Sequence, residues 1–123
     1  VYLITNLDTQ KRYIGKKNFI KKRTLKALKG KKRRRKVFSE SDWKEYYGSS
    51  DAVNKILLES GPEVFKREIL HLCMSKGEMS YVELYYQVQT GALFSDEYYN
   101  GIISCRINHR HVKNLDIKSL KKI

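Results

Sequence analysis

The sequence predicts a small α/β (α+β) domain whose strands and helices follow the order β-β-α-α-β-α around a mixed or antiparallel sheet. Two short apolar segments joined by a turn open the chain, and an apolar strand lies between two capped helical segments. A length of 123 residues suits one domain. No apolar run approaches the ~18 residues needed to cross a bilayer, so no membrane partner is expected.

The first two strands are predicted at Val1–Thr5 and Lys11–Gly15, because Asn6-Leu7-Asp8-Thr9 between them has turn chemistry. A four-residue loop there places Tyr2 directly opposite Tyr13, on one face of the hairpin. A loop longer or shorter by one residue would send the two rings to opposite faces. On its own, such a pair indicates packing more readily than chemistry.

Half of the basic residues lie in one segment. Lys16 to Lys36 contains 13 of the 26 Lys and Arg residues and no acidic residue, in a chain of net charge +13. Charge of one sign at this density needs an anionic partner, and nucleic acid is favoured over a membrane surface because apolar residues are sparse there. We expect Phe19–Leu28 to form a basic helix that Gly30 interrupts. Lys31–Lys36 is expected to be a mobile arm that phosphate orders.

The middle of the chain predicts a helix followed by a strand. Ser50 is a suitable N-cap for a helix over residues 51–60, which Gly61-Pro62 ends. Val64–Cys73 is apolar enough to form the third strand.

The last long helix is expected to begin at a capping box, Ser75-Lys76-Gly77-Glu78, and to end near Gly91. Its periodicity predicts a buried stripe of Tyr81, Leu84, Tyr85 and Val88. After it, Gly101–Arg106 is predicted as a short strand and Ile117–Ile123 as the start of a basic helix.

Glu83 is the carboxylate that we single out, because it lies at the edge of this stripe. One carboxylate with phosphate oxygens and water is enough to hold Mg²⁺. The spacing of His109 and His111 near Cys105 does not match a zinc site, and His71 is expected to be structural. No glycine-rich loop followed by Lys supports hydrolysis of nucleoside triphosphates.

Cleavage of a phosphodiester requires a base for water, a cation for the phosphate oxygens and a metal. Tyr2 or Tyr13 is a candidate base, although a phenol of pKa ≈ 10 is ionised only about one part in a thousand at pH 7. Nearby Lys16 and Lys17 would favour the phenolate. Arg23, returning from the predicted helix, is the candidate phosphate ligand because its planar guanidinium suits phosphate.

Together these residues resemble the GIY-YIG nuclease family over roughly the first 100 residues. Val1-Tyr2 resembles the end of the first motif, whose glycine would precede Val1, and Tyr13-Ile14-Gly15 matches the second motif. Arg23 lies where the family has its arginine, and Glu83 where it has its metal-binding glutamate. Asn100 resembles the asparagine that closes the motif set.

The resemblance implies a compact domain around a small, mainly antiparallel three-stranded sheet flanked by helices, which hydrolyses DNA with one divalent metal, Mg²⁺ or Mn²⁺. It implies that Glu83 binds the metal, Tyr2 activates water and Tyr13 shares or hands on the proton. Arg23 would steady the phosphate, and Asn100 would hold the local network.

Two departures from the family pattern stand out. No histidine precedes His71, where many members carry one, so Tyr46 or Tyr47 is a candidate replacement. The basic insertion at about residues 29–40 is long, and we interpret it as a clamp on the DNA backbone. The residues expected to bind DNA are Lys16, Lys17, Lys31, Lys32, Arg33, Arg34, Arg35, Tyr47 and Ser49.

Residues 1–100 are therefore expected to form the catalytic domain and residues 101–123 a basic extension or linker. The favoured function is that of a phage-type homing endonuclease acting on double-stranded DNA, as a monomer or transient dimer. The alternatives are a restriction or repair nuclease of the same family and a non-catalytic binding module, which would hold DNA equally well with EDTA.

The two cysteines, Cys73 and Cys105, do not form a disulfide framework, which favours a reducing compartment. We expect a cytoplasmic location, in the bacterial host if the gene belongs to a phage. The chain opens on Val1 and not on Met, so residues before it are expected.

Overall fold

The computed structural model describes all 123 residues and is an α+β fold with two small antiparallel sheets. Its elements are β1 (Tyr2–Asn6), β2 (Arg12–Gly15), β3 (Ile20–Leu25), β4 (Arg35–Glu40), α1 (Asp51–Ser60), β5 (Phe65–Ile69) and α2 (Lys76–Gln89). Short 3₁₀ turns lie at Pro62–Val64, Ala92–Phe94, His109–Val112 and Ile117–Ser119. Neither α-helix has the length and apolar character required to span a bilayer.

The central sheet has the order β2-β1-β5, and both pairs are antiparallel, as the resemblance implies. Tyr2 pairs with Gly15, and Ile4 pairs with Tyr13. The prediction that Tyr2 lies directly opposite Tyr13 is therefore wrong, because the four-residue loop is Leu7–Gln10 and the register moves by two. A shift of two preserves the face, and so the two rings are diagonal neighbours with centroids 6.4 Å apart.

The predicted basic helix at Phe19–Leu28 is wrong, because β3 lies there and pairs with β4 in a separate antiparallel hairpin. Its partner strand starts ten residues after β3 ends. A search for apolar residues at helical spacing does not detect pairing between segments this far apart. β-branched residues such as Thr24 and Val37 favour the strand. The predicted mobile arm is also partly wrong, since Arg35 and Lys36 are paired in β4.

The central sheet carries one helix on each face. On the first face, Val53 of α1 packs with Ile4 and Phe65. On the other face, Val82 and Tyr86 of α2 pack with the buried side chains of β1 and β2. The ends of α1 agree with the prediction: Ser50 Oγ accepts from Val53 N, and Gly61 is the C-cap.

The predicted stripe of α2 is wrong, since Tyr81, Leu84 and Tyr85 are only half-buried and Val88 is 64% exposed. The buried side chains of α2 are Glu78, Met79, Val82, Tyr86 and Gln87. Tyrosines lie on two faces of the helix, so apolar spacing alone did not determine which face is buried. Tertiary packing selects Tyr86, whose Oη accepts a hydrogen bond from Lys121 N.

The segment after Asn100 packs on α2 without long elements of its own. Leu120 is buried in the α2 core, and Leu115 and Ile123 pack beside it. Gly101–Arg106 is not a strand, and the predicted helix at Ile117–Ile123 is reduced to one 3₁₀ turn. Without strand or long helix, the segment is held by these apolar side chains.

Candidate active site

Three tyrosine rings form a cluster at the open end of the β1–β2 hairpin. Tyr2 starts β1 and is half-buried, with its ring 6.4 Å from that of Tyr13 and 6.5 Å from that of Tyr46 in an edge-to-face arrangement. Tyr46 belongs to the turn before α1. Of the two candidate replacements for the histidine, the structure therefore places Tyr46 in the cluster and Tyr47 against Phe65.

Two glycines allow the tyrosines to approach the backbone closely. A Cβ on Gly15 would lie less than 3.0 Å from the phenol of Tyr2 and 2.9 Å from Tyr13 Cε1. Gly48 has φ +94°, and a Cβ there would lie 2.5 Å from Tyr13 Cε1. A side chain at either position would displace the rings, which is a steric reason for glycine at position 15 of the second motif.

Burial raises the pKa of the Tyr2 phenol strongly, and the neighbouring Tyr13, Tyr46 and Glu83 raise it further, while Arg67 opposes the shift. Tyr2 is therefore a neutral phenol in the free protein at neutral pH. Tyr13 is placed differently, because its Oη lies 3.4 Å from Oγ of the exposed Ser49. That contact connects the cluster to solvent.

Glu83 lies on α2 beside the end of β2, and its side chain is only 15% exposed. Its carboxylate accepts no hydrogen bond; the nearest cation is Lys16 Nζ at 3.9 Å, which donates instead to Ser80 Oγ at 2.8 Å. Burial raises the pKa of Glu83, and Lys16 and the amino group of Val1 only partly offset this.

These features fit a divalent cation of the Mg²⁺ type. Glu83 offers a hard oxygen donor that no protein hydrogen bond occupies. Magnesium needs one or two carboxylates and otherwise keeps its waters. A cation would also offset the burial that raises the pKa of Glu83.

Asn100 is buried and binds the backbone of Ile14 in the middle of β2. Its Oδ1 accepts from Ile14 N at 2.9 Å, and its Nδ2 donates to Ile14 O at 2.8 Å. β2 is an edge strand whose outer side is covered at Arg12 by the backbone of residues 97–99, and the Asn100 amide continues this cover at Ile14. Asn100 thus holds the strand that carries Tyr13 and Gly15.

Arg67 on β5 is a residue that the sequence interpretation missed. Its guanidinium donates to the backbone oxygens of Trp43, Lys44 and Tyr46, and lies 4.3 Å from the centroid of the Tyr47 ring. Arg67 therefore holds the turn that brings Tyr46 to the cluster. An arginine on an edge strand gives no sequence signal for such contacts, because the three carbonyls are more than 20 residues away.

A cleft of about 870 Å³ separates the central sheet and α2 from the β3–β4 hairpin. Tyr2 and Tyr46 line it, and so does Lys22, whereas Arg23 is not among its lining residues. Side chains alternate along a strand, which places Arg23 on the other face of the hairpin, opposite Val37 and exposed. The structure therefore does not bring Arg23 to the tyrosine cluster.

The basic residues predicted to bind DNA fall into two groups. Lys16 and Lys17 lie beside the cluster and have partners: Lys17 Nζ is 2.7 Å from Asp42 Oδ1 and 4.0 Å from the centroid of the Tyr46 ring. The others lie at the tip of the hairpin or at the start of β4, are exposed and form no ion pair: Lys31, Lys32, Arg33, Arg34 and Arg35.

Like charges also meet along the hairpin. The close approach of the Lys36 amino group, with a smaller effect from Lys76, lowers the pKa of the exposed Lys22. Such crowding without any acidic partner provides a surface for a polyanion.

A family model described as "Putative endonuclease segE, GIY-YIG domain" matches residues 1–103, a span that includes Tyr2, Tyr13, Glu83 and Asn100. No curated protein and no solved structure gives a significant match. The model covers most of the chain and agrees with the motif resemblance and the α+β fold. The chain therefore belongs to the GIY-YIG family, in its segE branch, and is a DNA endonuclease that hydrolyses phosphodiester bonds.

Proposed function

We propose that the chain cleaves double-stranded DNA in a reaction that depends on Mg²⁺ or Mn²⁺, as a phage-type homing endonuclease in the cytoplasm of a bacterial host. The observation that carries this proposal is the Glu83 carboxylate, which is largely buried, accepts no hydrogen bond and lies beside the tyrosine cluster. The catalytic unit is residues 1–100, including the basic insertion.

The residues of the cluster have separate roles in this proposal. Glu83 holds the metal, which when bound stabilises negative charge on the phosphate and lowers the pKa of a coordinated water. Tyr2, in its phenolate form, accepts the proton of the attacking water at Oη and becomes a neutral phenol. Tyr13 passes that proton on through its contact with Ser49 towards solvent.

The neutral phenol of Tyr2 restricts this mechanism. Burial disfavours the phenolate, so only a small fraction of the free protein carries the base form at neutral pH. The rate is therefore expected to depend on pH up to strongly alkaline values. Asn100 acts only by positioning, because it contacts backbone and not the cluster.

The β3–β4 hairpin is the proposed DNA clamp. A two-stranded ribbon fits the major groove of B-DNA, and exposed Lys and Arg side chains neutralise phosphates on either side. One active site cuts one strand, so double-strand cleavage takes a transient dimer or a second encounter.

Arg23 and Lys22 offer alternative phosphate ligands on opposite faces of β3. We propose Arg23 for the phosphate of DNA that lies across the hairpin. Arg23→Ala is then expected to lower the cleavage rate more than Lys22→Ala, measured on the same duplex. A larger loss with Lys22→Ala would assign the phosphate to the cleft side of the hairpin and contradict the role of Arg23.

The central test is cleavage of supercoiled plasmid with Mg²⁺, with and without EDTA. Glu83→Ala and Tyr2→Phe are compared with Glu59→Ala, which removes an exposed carboxylate of α1. We expect cutting by the native chain and Glu59→Ala only, and DNA binding by all four proteins. Equal cutting by the Glu83 variant would overturn the metal site, and binding without any cutting would favour a non-catalytic module.

A further inference from the structure

Three side chains with metal-binding atoms converge where β5 leads into α2. His71 and Cys73 follow the end of β5, and Glu78 lies in the first turn of α2. Their ligand atoms all lie within 4.8 Å of one another, and His71 Nε2 is 3.9 Å from Glu78 Oε1. The spacing H-x-C-x₄-E is not a recognised zinc signature, so only the fold reveals the cluster.

The Glu78 carboxylate gives an independent reason to look for a ligand there. The side chain is only 8% exposed, and its carboxylate accepts no hydrogen bond. The capping box predicted from Ser75 is only half formed: Ser75 Oγ accepts from Glu78 N, but the carboxylate turns towards His71 instead of Ser75 N. Its oxygens keep only a small contact with solvent, and a cation there would balance their charge.

We propose that His71, Cys73 and Glu78 bind one Zn²⁺, or another borderline-soft divalent metal, at a site separate from Glu83. Imidazole nitrogen, thiolate sulfur and carboxylate oxygen are the three ligand types that zinc accepts. Binding replaces the thiol proton of Cys73 with the metal and releases that proton to solvent. Mg²⁺ does not compete, because it selects oxygen ligands.

The geometry requires little adjustment. In a tetrahedral zinc site, ligand atoms about 2.0–2.3 Å from the metal lie roughly 3.3–3.6 Å from one another. Side-chain rotations that move the ligand atoms by about 1 Å therefore close the site. His71 and Cys73 are partly exposed and line the large cleft, so the fourth position opens to solvent and holds water.

The site would fasten the start of α2 to the end of the central sheet, five residues before Glu83. Because the fold already holds the three ligand atoms within 4.8 Å of one another, the metal binds the native state preferentially and raises its melting temperature. This role does not depend on catalysis at Glu83.

The test is a titration of the whole chain with Co²⁺ in excess Mg²⁺ and a phosphine reductant, which avoids thiol competitors. We expect one equivalent to produce a thiolate-to-cobalt absorption band and the strong d–d bands of a tetrahedral centre. Zn²⁺ should displace the cobalt and raise the melting temperature. No band, or no rise with Zn²⁺, would overturn the proposal.

Variants assign the ligands, each with a matched control in the same chain. Cys73→Ser should lose the thiolate band, whereas Cys105→Ser should keep it; His71→Asn should lose tetrahedral binding, whereas His109→Asn should not. Glu78→Gln should weaken Co²⁺ binding by about 10- to 100-fold, a reduction of the size seen when metal-site support is removed.

Two further results separate this site from the active site. Glu83→Ala should leave the cobalt spectrum unchanged. This result is expected whether or not Glu83→Ala abolishes cleavage, so the two metal sites are tested independently. Circular dichroism of each metal-free variant checks folding, and should Cys73→Ser be unfolded, His71→Asn decides alone. A band that survives His71→Asn in a folded chain would overturn the assignment.

Discussion

Glu83 combines a catalytic position with an unfavourable environment. Its side chain is 15% exposed, and burial raises its pKa. Between the ordinary glutamate pKa and the raised value, the folded state binds more protons than the unfolded state. Stability therefore falls as pH rises through that window, and the destabilisation persists at neutral pH.

We predict that Glu83→Gln raises the melting temperature at neutral pH, because it removes the buried charge, while it lowers the cleavage rate by at least about 100-fold. Thermal unfolding at neutral and acidic pH measures the first effect, and the gain should disappear as the acid range is reached. A variant that is less stable than the native chain at neutral pH would contradict the environment described for Glu83. Glu59→Gln is the exposed control.

The raised pKa of Tyr2 determines the pH dependence that we expect for the reaction. Because burial raises its pKa, the phenolate fraction increases about tenfold per pH unit until that high pKa is approached. The single-turnover cleavage rate should therefore climb from neutral into alkaline solution without a plateau. Tyr2→Phe should abolish the climb, and a Tyr2→Phe profile parallel to that of the native chain would exclude Tyr2 as the base.

At the level of single elements, one amide pairs with the outer edge of β2 at Ile14. Asn100 both donates to and accepts from the backbone of Ile14. We predict that Asn100→Ala destabilises the chain by about 1–3 kcal/mol for each of the two Ile14 backbone groups that it leaves unpaired. Asn100→Asp should cost more at neutral pH, because it loses the donor to Ile14 O and places a charged carboxylate at a buried position.

Urea denaturation of the two Asn100 variants measures this order, with Asn114→Ala as the exposed control. Equal stability of native chain and Asn100→Ala would mean that water replaces the amide at no cost.

The contrast between α1 and β3 explains how much of the fold the sequence predicted. Capping at Ser50 and the helix end at Gly61 are local signals, and they located α1 correctly. Pairing of β3 with β4 depends on contacts between segments ten residues apart, and both strands are dominated by charges that give no clear period. The buried face of α2 likewise depends on Leu120 and other residues far along the chain.

The sequence predicted those site residues whose positions follow from a motif within one strand or helix. It missed residues whose side chains contact segments far away in the sequence. Two residues on one sheet face, Tyr2 and Tyr13, follow from strand alternation, although the register was wrong by two. The contacts of Arg67 and Glu78 depend on turns whose paths no local pattern specifies. Arg23 was misplaced because the segment predicted as its helix is a strand.

At the scale of the whole molecule, many of the positive charges without an ion-pair partner lie on the β3–β4 hairpin and its flanks. Of the 13 basic residues between positions 16 and 36, only Lys16 and Lys17 have an ion-pair partner, which leaves 11 on the hairpin and its flanks. If six to ten of them contact phosphates, DNA affinity falls roughly 10³–10⁵-fold between 50 and 200 mM salt.

We predict that replacing Lys31, Lys32, Arg33 and Arg34 by Gln reduces the slope of log affinity against log salt by up to about 3.6, or about 0.9 for each phosphate that is no longer neutralised. Fluorescence anisotropy with one duplex at several salt concentrations measures the slope. Lys55→Gln, on the exposed surface of α1, should leave it unchanged. An unaltered slope in the fourfold variant would exclude the hairpin tip from the DNA interface.

The two hydrogen bonds between Asn100 and the backbone of Ile14 have a consequence for the behaviour of the protein in concentrated solution. An uncovered edge strand is a template for strands of other molecules and a common start of aggregation. Asn100 occupies the N–H and C=O of Ile14, and the backbone of residues 97–99 pairs with Arg12 on the same edge, so together they keep neighbouring copies from extending the sheet. Reduced activity in an Asn100 variant would therefore include depletion of monomeric protein, a cause that a kinetic assay alone would mistake for a catalytic defect.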